Sequence, residues 1–179
     1  DGAEAIAVCL LHAYKNSAHE RQVRDLIGEI ALDMAVSLSS EVHPELREYE
    51  RASSTAANAY VQPLMSVYVG KLKTELRDQG FQGRFHLMQS SGGLTAPETG
   101  IAFPVRFLES GPAGGAQATA FVGKGIGAND IISFDMGGTT AKACLIENGK
   151  PDIAPMLEAG RVHRFKRGSG LPIRAPVID

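Results

Sequence analysis

The sequence predicts an α/β fold in which helices flank a mixed sheet. Residues 5–39 read as strand, helix and strand in succession, an order that favours parallel strand pairing. Residues 131–134 and 141–146 are apolar runs on either side of a glycine-rich turn, which predicts two further strands. With 44% hydrophobic residues, the 179-residue chain can bury a sizeable core.

The first part of the chain, residues 1–43, is predicted to form the strand–helix–strand unit. Residues 5–11 form a short apolar run, which fits a buried strand or a buried helix equally well. Ser17 and Glu20 have the spacing of a capping box, so a helix should start there. The apolar face of that helix would consist of Val23, Leu26, Ile27 and Ile30. Residues 35–39 alternate between apolar and polar types, which suits a strand and favours a strand for residues 5–11 as well.

The second part, residues 44–179, should open with a long helix. Pro44 suits its first turn, and apolar residues recur at helical spacing over the next thirty or so positions. Pro63 should kink or interrupt the helix, because proline lacks the backbone N–H and its ring clashes with the preceding turn. Gly80 is the expected stop.

Glycine-rich loops punctuate the rest of the chain. Residues 85–89 read as a strand that runs into a loop at 90–93. A second loop at 109–115 leads into an alanine-rich helix that should end near Gly123. Asn148 and Gly149 are a strong signal for a tight hairpin turn.

Composition and charge exclude some functions and leave others open. The net charge of −2 gives no general reason to expect a nucleic-acid or anionic-membrane partner. No apolar run approaches the roughly 20 residues that span a bilayer. Cys9 and Cys144 lie far apart and outside any C-x-x-C pair, which indicates buried thiols in a reduced, cytoplasmic protein. Because the chain opens at Asp1 and not at methionine, we expect it to be part of a longer polypeptide.

The turn that follows the strand at 131–134 carries the clearest chemical signal. Gly137 and Gly138 allow the backbone to approach a phosphate closely, and Thr139 and Thr140 can donate hydroxyl hydrogen bonds to its oxygens. A carboxylate would repel phosphate, so Asp135 is predicted as a ligand of Mg²⁺. The alternative is a tight glycine hairpin with a capping aspartate.

Two glycine loops, at 90–93 and 110–115, could join this turn in one ligand site, because ligands of open α/β sheets collect at such loops. Gly114 and Gly115 lie in a loop or at the start of a helix, where amides and the helix dipole favour anions. Either loop could instead be a plain connection. The sequence has no G-x-x-x-x-G-K-[ST] motif, so it is not a P-loop protein.

Four segments, taken together, resemble the hydantoinase A/5-oxoprolinase family, which includes ATP-dependent acetone and acetophenone carboxylase subunits. They are SLSSEVHPELREYERASSTAANAY at 37–60, HLMQSSGGL at 86–94, SGPAGGA at 110–116 and FDMGGTTAK at 134–142. The family is similar to the actin-like ATPases, which bind ATP between two ribonuclease-H-like lobes.

The resemblance implies that residues 1–179 are an internal fragment of a larger subunit and form an incomplete ribonuclease-H-like lobe. It implies a phosphate-binding hairpin at Asp135, Gly137, Gly138, Thr139 and Thr140, with Gly111, Gly114 and Gly115 in the nucleotide cleft. It identifies no catalytic residue. The family usually has serine or threonine and then aspartate where this chain has Ala141 and Lys142. Lys142 would therefore either contact a phosphate or point to solvent.

The function implied by the resemblance is ATP- and Mg²⁺-dependent opening of a cyclic amide, such as a hydantoin or 5-oxoproline, through a phosphorylated intermediate. One alternative is a ketone carboxylase subunit, and another is a non-catalytic nucleotide-binding assembly module. The implied partners are the small cyclic amide, a second, B-type subunit and further copies of the same chain, with no nucleic acid and no membrane.

Overall fold

A computed structural model of the chain describes residues 2–138, 140–163 and 166–178. The helices are α1 (Ala18–Ile30), α2 (Ser39–Val42), α3 (Glu48–Asp78), α4 (Pro97–Ala102) and α5 (Ser110–Gly125). The first six strands are β1 (Ala5–Val8), β2 (Ala35–Leu38), β3 (Leu87–Met88), β4 (Leu94–Thr95), β5 (Ile131–Met136) and β6 (Ala141–Glu147). The remaining strands are β7 (Lys150–Pro151), β8 (Ile153–Ala154), β9 (Leu157–Ala159), β10 (Leu171–Ile173) and β11 (Val177–Ile178).

The predicted strand–helix–strand unit is confirmed. β1 and β2 pair in parallel, with Ala5 opposite Ala35 and Val8 opposite Leu38. Helix α1 connects them, as a parallel pair requires a crossover. Two residues of its predicted apolar face, Leu26 and Ile30, are exposed.

The predicted capping box is wrong. The Ser17 side chain makes no capping hydrogen bond at the start of α1. Glu20 is fully buried and binds elsewhere. It accepts hydrogen bonds from the Leu10 N–H at 2.9 Å, the Ser39 hydroxyl at 2.5 Å and the Ser40 N–H at 2.9 Å. The carboxylate thus ties together the segments that come after β1 and β2, a long-range use that outweighs the local one.

Helix α3 is 31 residues long and differs from the prediction at two places. It begins at Glu48, not at Pro44, because the short helix α2 ends just before that proline. Pro63 lies inside α3 without ending it. Buried residues on both sides of Pro63, from Arg51 to Ala59 and again at Val69, hold the helix against the rest of the chain. The predicted stop is confirmed, since Gly80 has a φ of +84° just after the helix.

The C-terminal half is built on the antiparallel sheet β5–β6–β7. The turn between β6 and β7 is the predicted one, with positive φ at Asn148 and Gly149. The predicted loop at 109–115 is wrong from Ser110 onward, because α5 starts there. Pro112 lies in its first turn, where the missing proline N–H costs no intrahelical bond.

The α/β class is confirmed, although the sheet is divided into small pieces. Across residues 2–138, 140–163 and 166–178, β1–β2 is parallel and the other four sheets are antiparallel. The predicted strand at 85–89 is reduced to the two residues of β3. One buried cluster joins Val42, Val105, Ile173 and Ala175. None of the described helices combines the length and the apolar character that crossing a bilayer would need.

Candidate functional site

The predicted phosphate-binding turn connects β5 to β6. Strand β5 continues to Met136, two residues beyond the predicted end, so Asp135 lies in the last part of the strand and directly opposite Lys142. The Gly137 N–H donates to the Thr140 carbonyl at 3.0 Å and closes the turn. Thr139, also predicted for this site, lies outside the described residues.

The two faces of this hairpin differ in chemistry. Residues directly opposite each other share a face, so Ser133, Asp135, Lys142 and Cys144 lie on one side. Helix α5 packs against that side, where Ala113 and Ala116 are buried with Cys144. The other side carries three apolar side chains that are about two-thirds exposed. They are Ile132 (68%), Phe134 (65%) and Met136 (70%).

Helix α5 runs antiparallel to β5. Its end touches the start of the strand, because a Cβ on Gly123 would lie 2.5 Å from Cδ1 of Ile131. Its start lies near the other end of the strand, where Glu109, the residue before α5, forms an ion pair with Lys142. The N-terminal end of α5, which carries the positive end of the helix dipole, therefore lies at the same end of the hairpin as the turn at 137–140.

The glycines of α5 do not themselves line a cavity with Asp135. Pro112 does so in their place. A Cβ added to Gly111 or Gly115 would meet no described atom within 4 Å, and one on Gly114 would meet only Met88, at 3.9 Å. The same openness applies to Gly137 and Gly138. Contacts within the described residues therefore do not explain why glycine stands at these positions, which leaves room for the close approach of a ligand.

A cavity of about 340 Å³ lies between the hairpin, the start of α5 and β9. Five charged side chains line it, and most of the remaining wall is apolar. The charged residues are Glu109, Asp135, Lys142, Glu158 and Arg161. Arg161 pairs with Glu158 at 3.1 Å, and Lys142 pairs with Glu109.

Of its two predicted roles, Lys142 does not have the solvent-facing one, and contact with a phosphate stays a prediction. It does not point to solvent, because it lines the cavity and pairs with Glu109. Partial burial disfavours the charged ammonium group and lowers the pKa of Lys142 below its ordinary value. Alternation along β6 could have placed Lys142 on the Asp135 face. Glu109 and Glu158 were missed, because no local pattern connects them with Asp135.

A second cavity, of about 550 Å³, lies between the end of α3 and the start of α4. It is larger but contains none of the predicted site residues. Two of its lining residues, Lys73 and Glu98, form an exposed ion pair at 2.7 Å. The cavity beside the hairpin is the better candidate because it joins Asp135 and Lys142 to the start of α5.

The donor set around Asp135 suits one kind of metal. The described residues contain no group of three or more His, Cys, Asp or Glu side chains that could hold an ion by themselves. Asp135 is exposed near the end of β5. Mg²⁺ commonly takes one or two carboxylates and completes its shell with water and substrate phosphates. A single accessible carboxylate beside a glycine turn is therefore compatible with Mg²⁺ that arrives with a nucleotide.

The parallel β1–α1–β2 unit and the hairpin packed on α5 define an α/β domain with a ligand cavity at one end of the hairpin. The chain belongs to the hydantoinase/oxoprolinase family, whose sequence profile matches residues 51–179. The resemblance carried by the four sequence segments is thereby confirmed.

Two relatives illustrate the match. An uncharacterised protein of Methanocaldococcus jannaschii is 44% identical over 98% of this chain, which covers 26% of that protein. The alpha subunit of caprolactamase from Pseudomonas jessenii is 30% identical over 84% of this chain, which covers 22% of that subunit. The chain thus spans about a quarter of the length of these relatives.

A solved structure agrees with the fold. Nucleotide-free acetone carboxylase, an enzyme of ATP-dependent acetone carboxylation, superimposes with a TM-score of 0.80 at 25% identity. The match covers 98% of this chain and 24% of the carboxylase chain. It confirms the α/β class over nearly the whole chain.

Proposed function

We propose that this chain is an internal part of a larger subunit that uses ATP to open a cyclic amide. Residues 44–179 would contribute one wall of the nucleotide cleft, and residues 1–43 would support it. Membership of the hydantoinase/oxoprolinase family supports the reaction class, as does similarity to a caprolactamase subunit, since caprolactam is a cyclic amide. The subunit would work in the cytoplasm with a second subunit and further copies of itself.

The observation that carries this proposal is the arrangement of the β5–β6 turn and the start of α5 at one end of the hairpin. The backbone amide of Gly138 would bind a phosphate oxygen, Gly137 would leave room for its approach, and Thr139 and Thr140 would add hydroxyl groups. The dipole of α5 would favour the same negative charge, with Gly111, Gly114 and Gly115 leaving room for it. Asp135 would hold Mg²⁺, directly or through water.

These residues would act mainly by positioning and by electrostatic stabilisation, which dominate phosphoryl transfer. ATP with Mg²⁺ supplies a phosphoryl group to the amide oxygen. In that step the oxygen–phosphorus bond forms, the bond to ADP breaks with its electron pair leaving on ADP, and the amide nitrogen gives up its proton. The activated carbon can then be attacked by water, which an ordinary amide resists.

The alternative that an observation favours is a ketone carboxylase subunit, because acetone carboxylase has the same fold over almost the whole chain. Hydrolysis of ATP by the full-length protein separates the two. We expect phosphate release to rise at least tenfold with hydantoin, 5-oxoproline or caprolactam, and to remain at its basal rate with acetone plus bicarbonate. If phosphate release rises only with acetone plus bicarbonate, the amidohydrolase proposal is wrong and the carboxylase alternative takes its place.

A further inference from the structure

The cavity beside the hairpin is large enough for more than a phosphate. Its volume of about 340 Å³ is at the lower end of the range of about 300–1,000 Å³ that is typical of small-molecule sites. The proposed function assigns the phosphates to the turn at 137–140 and Mg²⁺ to Asp135, so the rest of the cavity is available to the second substrate. The role of the cavity as a substrate site therefore rests on that proposed function.

The charges in this cavity disfavour an anionic second substrate. Three carboxylates, Glu109, Asp135 and Glu158, face two cations, Lys142 and Arg161, which leaves one excess negative charge. Both cations already have carboxylate partners. In the absence of Mg²⁺, a carboxylate on the ligand would therefore meet net repulsion from the excess negative charge of the described lining residues.

The apolar part of the wall suits an uncharged ring. The apolar residues that line the cavity include Leu157, Val177, Met156, Cys144 and Pro112. Small-molecule sites combine apolar residues with polar groups that fix the orientation of the ligand. The hydrocarbon part of a lactam could pack on these residues.

Lys142 is the polar group that could fix such a ligand. An ammonium group has three N–H donors, so a lysine paired with one carboxylate can still donate to a carbonyl oxygen. The carboxylate of Glu109 holds the Lys142 side chain near the N-terminal end of α5. The strand register places the Lys142 backbone opposite Asp135. A carbonyl oxygen bound to Lys142 would thus lie on the same hairpin face as the proposed Mg²⁺ ligand.

We propose that this cavity binds a neutral cyclic amide, with Lys142 donating a hydrogen bond to its carbonyl oxygen and Glu109 acting as the residue that positions Lys142. The preferred substrate class is an uncharged lactam or hydantoin, as opposed to a ring that carries a carboxylate, such as 5-oxoproline.

The test is equilibrium binding to the full-length protein without nucleotide, measured by calorimetry with caprolactam and 5-oxoproline as probes. We expect caprolactam to bind at least about tenfold more tightly than 5-oxoproline. Lys142→Met should weaken caprolactam binding about tenfold or more, as expected for loss of a charged hydrogen-bond donor. Lys142→Arg should retain part of the affinity, and Glu109→Gln should cause a smaller loss.

A matched control pair exists on the same sheet. Glu147 and Lys150 face each other across β6 and β7 and do not line the cavity. Lys150→Met and Glu147→Gln should leave caprolactam affinity within about twofold of the wild type. Binding of 5-oxoproline as tight as that of caprolactam would overturn the charge argument. An affinity of Lys142→Met equal to that of Lys150→Met would overturn the role of Lys142.

The two proposals fail in different ways. Binding of a non-hydrolysable ATP analogue to the same protein reports on the turn and not on the cavity. Suppose that the analogue binds and that Lys142→Met binds caprolactam as tightly as the control variants do. The inference about the cavity is then wrong, and the ATP proposal stands. If the analogue does not bind, the proposed function is wrong, whatever the lactam affinity.

Discussion

Glu20 illustrates at the residue scale how a buried charge organises the first part of the chain. Burial alone would raise the pKa of its carboxyl group, but hydrogen bonds from Ser39, Leu10 and Ser40 outweigh burial and hold that pKa below its ordinary value. These donors favour the ionised form in the folded protein. Because the folded pKa is depressed, the stabilisation is present above the unfolded pKa and is lost as pH falls through the folded pKa.

The first prediction concerns how the contribution of Glu20 to stability depends on pH. Glu20→Gln should lower the free energy of unfolding by about 2 kcal/mol at pH 7, since an amide N–H₂ would face the Ser40 N–H without an acceptor. The loss should shrink below about pH 4, where the wild-type carboxylate is itself protonated in the unfolded chain. Urea unfolding at pH 7 and at about pH 3 measures both values. Glu29→Gln, on the exposed side of the same helix, is the control. An equal loss at both pH values would contradict the assignment.

At the element scale, α3 is fixed to its neighbours by one buried amide. Asn58 is fully buried. Its Nδ2 donates to the Ser37 hydroxyl at 2.9 Å and to the Ala102 carbonyl at 3.0 Å, and its Oδ1 accepts from the Val105 N–H at 3.2 Å. One side chain therefore connects α3 to β2, to the end of α4 and to the 3-10 helix at Pro104–Phe107.

The second prediction concerns these contacts. Asn58→Ala should lower the free energy of unfolding by about 2–4 kcal/mol, because it leaves the buried Val105 N–H without an acceptor and the partly buried Ala102 carbonyl without a donor. Glu75→Ala, at an exposed position of α3, should change it by less than about 0.5 kcal/mol. Thermal unfolding of the two variants is sufficient. A small effect of Asn58→Ala would mean that water reaches these groups.

Local patterns predicted the elements whose signals are themselves local. The Asn148-Gly149 turn, the stop at Gly80 and the β1–α1–β2 unit are all present. The capping box failed because Glu20 binds residues 10 and 19 positions away. The break at Pro63 failed because buried contacts on both sides of it hold α3 together. Tertiary contacts overrode local propensity in both cases.

The candidate site could be predicted only in part for the same reason. Asp135 and the turn after it are indicated by a strand, two glycines and two hydroxyl residues in succession. The ion pair between Lys142 and Glu109 joins residues 33 positions apart, and no sequence pattern indicates it. Glu158 and Arg161 reach the cavity from β9 and the segment after it. Packing of α5 on the hairpin brings only Glu109 next to Lys142.

At the scale of the whole molecule, the region that matches this chain is one part of a longer protein in its relatives. It covers about a quarter of them, and the outer face of β5 exposes Ile132, Phe134 and Met136. Exposed apolar surface of this kind commonly marks a contact with other protein surface. The proposed function is therefore tested on the full-length protein, which would supply the second wall of the proposed nucleotide cleft.

The central claim is that the β5–β6 hairpin binds ATP with Mg²⁺ held by Asp135. Its most direct test is the affinity of the full-length protein for a non-hydrolysable ATP analogue, titrated with and without Mg²⁺, in wild type, Asp135→Asn and the exposed control Asp25→Asn. We predict that Mg²⁺ tightens binding at least tenfold in the wild type and in Asp25→Asn, and less than about twofold in Asp135→Asn. The same gain from Mg²⁺ in all three proteins would contradict the claim.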